Sequence, residues 1–72
     1  MTPREAILKA AEVMGSQFAL ATALNLKSQG SIATWLMRGQ PPAHHVLAIE
    51  KLTGVSRHDL RPDIYPREEQ AA

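Results

Sequence analysis

Seventy-two residues make one domain with a small core, since a chain this short buries only roughly 60% of the surface it exposes when unfolded. With no cysteine there is no disulfide staple, no thiolate metal site and no cysteine nucleophile, which fits a reducing cytoplasm, and three histidines are too few to suggest a metal centre by number. The formal net charge of +1 is small for a nucleic-acid binder, and neither a basic-then-apolar leader nor an apolar run near ~18 residues points to secretion or to a membrane.

Thr2-Pro3-Arg4-Glu5 predicts the start of a first helix. Thr2 is a capping residue, Pro3 suits the first helical position, and Glu5 completes a capping box. Ile7, Leu8, Ala11 and Met14 follow as one apolar stripe, and Gly15 stands where a left-handed C-cap residue belongs. Ser16 then caps a short second helix in which Phe18, Ala21 and Leu24 share a face with Leu20 beside them. Asn25, a residue that tolerates positive φ, ends it.

Leu26 and Lys27 make a turn, and Ser28 caps a third helix running to Arg38. Its spacing sends Ile32, Trp35 and Leu36 to one side and Gly30, Ala33, Thr34 and Met37 to the other, with Gln29, Ser31 and Arg38 along the edges. A merely solvated helix usually carries Lys and Glu on its outer face; this one carries small uncharged residues, as a contact surface would. Gly39 stops the helix. Pro41-Pro42 opens a fourth, with Val46, Ile49 and Leu52 inward and Gly54 at its end. Ser56 to Asp59 repeats a capping-box-like pattern before a last short turn that packs Val55 and Leu60, and Pro62 blocks its continuation.

Charge is unevenly placed. No acidic residue lies between Glu12 and Glu50, a stretch that holds Lys27, Arg38, His44 and His45, whereas from Glu50 onward five acids face four bases. That asymmetry points toward a polyanion, against the plainer reading of a solvated surface that happens to lack acids.

Two short helices joined by a tight turn, the second bearing a buried aromatic, are the signature of a helix-turn-helix unit, here residues 16–39. In such a unit the first helix braces across the DNA backbone and the second lies in the major groove. Several segments, taken in order, carry a family resemblance. They are Gly15-Ser16-Gln17, Ala19-Leu20-Ala21, Leu24, Ser28 through Trp35-Leu36, Arg38-Gly39, Pro42-Ala43, Leu47-Ala48-Ile49-Glu50, Thr53 to Arg57 and Leu60 to Pro66. In this combination the chain resembles the Cro-like family of phage and prophage repressors, most of all its YdaS subgroup, often labelled an antitoxin. The resemblance spans about residues 4 to 66. Two departures stand out: Asn25 occupies a position where the family has glycine, and Leu26 to Trp35 is one residue longer than the family spacing. The extra residue falls in the turn near Lys27, where it could tilt the recognition helix.

The resemblance implies an all-α, lambda-repressor-like domain of four to five short helices over residues 1–66, with 67–72 as a flexible tail, and a repressor of transcription acting in the bacterial cytoplasm, at the nucleoid when bound to DNA. By position it implies that Gln17, Lys27 and Ser28 meet backbone phosphates. Gln29 would pair with adenine N6 and N7, Ala33 and Thr34 would touch thymine methyls, Ser31 would offer a hydroxyl, and Arg38 would meet a guanine or a phosphate. Double-stranded operator DNA is the implied partner, bound by two copies on a pseudo-palindrome. The rival expectation is an antitoxin-type interaction module that sequesters a toxin. No nucleophile with an oriented base suggests an enzyme, and no cofactor or metal is expected. His44 and His45, about 100° apart on a helix, cannot chelate one ion together and read as surface residues. Trp35 reads as core, and Tyr65 as folding back on the core, with dimerisation through residues 61–65 as the alternative.

Overall fold

The computed structural model describes residues 1–28 and 30–66. Among these the chain is all-helical, with α1 (Pro3–Met14), α2 (Gln17–Ala23), α3 (Gly30–Arg38), α4 (Ala43–Thr53) and α5 (Arg57–Leu60) and no strand. The tail expected from residue 67 lies outside the described residues.

α1 is set by its own ends. The Thr2 hydroxyl accepts from the Glu5 N–H at 3.1 Å, and the Glu5 carboxylate accepts from the Thr2 N–H at 2.9 Å. At the other end Gly15 takes φ of 109° and donates to the Ala11 carbonyl at 2.9 Å. The buried face is Ala6, Ile7, Ala10 and Ala11. Three alanines let backbones approach closely, and α1 accordingly contacts each of the other four helices. Leu8, expected in the stripe, is exposed. The buried arc is centred between Ala10 and Ile7, and Leu8 lies about 100° beyond Ile7.

Around α1 the core gathers Leu20 and Ala21 from α2, Ile32 and Trp35 from α3, Val46 and Ile49 from α4, and then Val55 and Leu60. No polar side chain is buried among the described residues. Pro42 serves as the N-cap of α4 in extended conformation, and Gly54 closes that helix at φ of 79°. Leu52, expected inward, is exposed, because Val46 and Ile49 centre the buried arc away from it.

The C-terminal segment is clasped by polar contacts. Glu50 accepts from the Arg57 backbone N–H at 2.7 Å and from its guanidinium at 2.8 and 3.1 Å. The Ser56 hydroxyl accepts from the His58 N–H at 3.1 Å. His58 Nδ1 stands 2.7 Å from the Tyr65 carbonyl, so that nitrogen carries the proton and donates. Arg61 chelates Asp63 and donates to the Pro41 carbonyl at 3.0 Å. Tyr65 thereby rests on the core, as expected.

Hydrogen bonds from the Arg57 guanidinium, then from its backbone N–H, hold the Glu50 carboxyl below the usual carboxylate range. A depressed folded-state pKa stabilises the fold above the ordinary carboxylate range, and that stability is lost as pH falls through the lowered value. Denaturant titrations should therefore show stability falling below about pH 4.5. Glu50→Gln should cost about 1–2 kcal/mol at pH 7 and shrink the acid-induced drop. An unchanged acid profile in that variant would contradict the assignment.

Candidate nucleic-acid interface

α2 opens at Ser16, whose hydroxyl accepts from the Ala19 N–H at 2.9 Å. It buries Leu20 and Ala21, the latter small where α2 meets α1 and α3. Phe18, expected on this face, is instead 65% exposed. The buried arc runs through Leu20, Leu24, Gln17 and Ala21, and Phe18 falls about 110° from its middle.

The turn closes in two bonds. Asn25 N–H donates to the Thr22 carbonyl at 3.0 Å, and Leu26 N–H reaches back to Ala21 at 2.9 Å. This is a Schellman closure, which needs a left-handed residue at its corner, and Asn25 supplies it at φ of 61°. Asparagine thus fills the glycine position without loss of the motif, because its short polar side chain tolerates that region. Leu26 packs against the core.

The Ser28 hydroxyl accepts from the Gly30 N–H, at the start of α3, at 3.2 Å. Ile32 and Trp35 are buried and Leu36 is half-buried. The opposite face presents Gly30, Ala33, Thr34 and Met37, all exposed, with Arg38 exposed beside them and Ser31 half-buried at the Trp35 edge. Thr34 donates its hydroxyl proton to the Gly30 carbonyl at 2.9 Å, so it offers an outside group its methyl and an oxygen lone pair. Lys27 and Ser28 are exposed in the leading turn, and Gln17 sits half-buried at the first position of α2. Seven of the eight expected contact residues are thereby placed: Lys27, Ser28, Ser31, Ala33, Thr34 and Arg38 on α3 and its approach, Gln17 apart on α2. Gln29 lies outside the described residues. Met37 is exposed on the outward face, where the helical spacing it shares with Gly30, Ala33 and Thr34 places it.

His45 corrects another expectation. It is half-buried, its ring centroid 5.3 Å from that of Trp35, so it ties α4 to the inner side of α3. Burial, and then the neighbouring His44, push its pKa down. Carboxylates near this end of the molecule are already engaged: Glu50 with Arg57 and Asp63 with Arg61. Among the described residues no carboxylate bridges Lys27 or Arg38, and both cations face outward. The α3 surface is therefore convex, basic at its margins and nearly featureless in hydrogen-bonding side chains at its centre.

Concave alternatives are small. A cleft of about 140 Å³ lies between Trp35, Arg38, Pro41, Pro42 and Arg61, and another of about 260 Å³ lies beside Val13 and Val55. Both fall below the roughly 300–1,000 Å³ usual for small-molecule sites. No group of three or more metal-ligating side chains forms among the described residues. None of the described helices is long and apolar enough to cross a membrane.

The family model described as "Bacterial toxin YdaS" matches residues 7–69 of the chain. Comparison with curated proteins gives no match. Among solved structures, the chain is similar to the Cro protein from Xfaso 1, a candidate prophage element, in Xylella fastidiosa strain Ann-1. Identity is 38%, the TM-score is 0.81, and the match covers 86% of this chain and 97% of that one. The five-helix arrangement is accordingly the Cro-like helix-turn-helix fold. The chain belongs to the YdaS family.

Proposed function

We propose that this chain is a transcriptional regulator of the Cro-like repressor kind, which binds duplex DNA and reads its major groove with α3. The observation that carries this reading is the outward face of α3. Small side chains there keep it slim enough to enter a groove, Lys27 and Arg38 flank it unpaired by any described carboxylate, and buried Ile32 and Trp35 hold it rigid from behind. On this reading Gln17, Lys27 and Ser28 fix the register on phosphates. Gln29 pairs bidentately with an adenine, as its amide chemistry allows. Ser31, Ala33 and Thr34 meet base edges, and Arg38 meets a guanine or phosphate. Two copies on a pseudo-palindrome, about one helical turn apart, would supply the affinity that so few cations per chain cannot. Similarity to a Cro protein supports the same reading.

Salt dependence tests it. Affinity for duplex DNA should fall linearly on a log–log salt plot, and Lys27→Ala should lower the slope by about 0.9 per bound copy while weakening all sequences alike. Binding undetectable even at low salt, or a slope untouched by the substitution, would contradict the assignment.

A second reading, an antitoxin-type module that sequesters a toxin, has exposed Phe18, Leu47 and Leu52 in its favour as apolar contact groups. The family's description speaks of a toxin rather than an antitoxin and names no partner. Repression lost and partner binding kept in an α3 variant would separate the two.

A further inference from the structure

We propose that Met37 is a specificity-determining residue that recognises the C5-methyl group of a thymine, an inference resting on the DNA-reading role of α3 above. Met37 is 88% exposed and lies in the middle of the outward stripe formed with Gly30, Ala33 and Thr34. No large apolar side chain among the described residues is more exposed, so its full surface is available to a partner. Its neighbours on the stripe carry no side chain, one methyl, and a threonine whose hydroxyl is turned back to the helix carbonyl of Gly30. In the middle of the stripe Met37 therefore reaches farthest, and the short residues around it let the helix come close enough for it to touch the groove floor.

The chemistry of the side chain selects its target. A thioether donates no hydrogen bond and accepts only weakly, so it cannot pair with the N7, O6, N6 or N4 groups of the other bases. The thymine methyl is the one apolar feature displayed in the major groove. Three flexible torsions and a polarisable sulfur suit it to close over that methyl. Arg38, next in sequence and exposed on the same side, supplies charge without competing for the methyl.

The test uses the full chain and the duplex it selects from a random pool, with each thymine of one half-site replaced in turn by uracil. Removing one buried methyl should weaken the wild type about fourfold at one position. Met37→Ala should bind the thymine duplex about fourfold less well and show no thymine-over-uracil preference at that position, while keeping the preferences at all others. Met37→Gln, of similar length but polar, should lose the same preference. Thermal melting should leave both variants as stable as the wild type. If both variants keep every thymine-over-uracil ratio, the assignment of Met37 is overturned although α3 still reads DNA. If the wild type selects no sequence at all, the DNA-reading role itself falls and this inference with it.

Discussion

Replacing Trp35 by alanine is expected to bring the domain close to unfolding at room temperature. The indole is only 5% exposed and is shared between the inner face of α3 and the ring of His45 on α4. Truncating a buried Trp costs about 3–5 kcal/mol, because the transfer energy is lost and the cavity fills only in part. The whole stability of a 72-residue domain is roughly 4–11 kcal/mol, so one substitution removes a large share of it. Circular dichroism should show a melting transition moved down by tens of degrees or lost. Trp35→Phe, which keeps a ring in the site, should be milder, at about 1–2 kcal/mol. Loss of DNA binding in Trp35→Ala would then follow from loss of fold. A variant within about 1 kcal/mol of wild type would show that Trp35 is not a core anchor.

The opposite dissociation is expected on the outer face. Gln29→Ala with Arg38→Ala should leave the melting curve within about 0.5 kcal/mol of wild type, since Arg38 is exposed with no described carboxylate bridging it and surface substitutions change stability little. Each bidentate base contact is worth about 1–3 kcal/mol, so the pair should weaken operator binding by about 30-fold or more and bring it toward the non-specific level. Single variants should relax preference at one base position each. For Arg38, a uniform loss across all sequences would identify its partner as a phosphate instead of a guanine. Operator affinity retained within about threefold in the double variant would remove both residues from the reading surface, and partner-protein binding would become the better account of the α3 face.

What the sequence makes legible here is mostly local. The Thr2–Glu5 box, the Ser16 and Ser28 hydroxyl bonds and the Asn25 corner all join residues within five positions of each other. Residue type and spacing alone specify such contacts. The division of α3 was equally legible, because Ile32, Trp35 and Leu36 leave one direction for the core. Phe18, Leu8 and Leu52 were not, and for a common reason. Each helix is apolar over a wide arc, and the middle of that arc is set by where its neighbours dock. In α1 and α2 the docking face is built on alanine: Ala6, Ala10, Ala11 and Ala21 permit close approach while larger side chains are left outside. Size alone therefore does not mark the core here: Ile7 and Leu20 are buried, whereas Leu8 and Phe18 are not.

Contacts between distant positions were also hidden. Glu50 with Arg57 and His58 with Tyr65 are each seven residues apart across a helix boundary, and nothing in residue type pairs them before the chain turns. His45 could be assigned to Trp35 only once the two rings were seen 5.3 Å apart. Within the candidate interface the flanking cations, the small residues and the outward placement of Met37 were readable from composition and spacing, whereas the extent of Met37's exposure was not.

Selection from a randomised duplex pool by the purified protein at near-physiological salt tests the central claim most directly. Enrichment of a short inverted repeat, with half-sites about one helical turn apart, is the predicted result and would establish both sequence reading by α3 and pairing of two copies on DNA. A pool that emerges without any consensus, from a protein whose residual binding vanishes as salt rises, would contradict it.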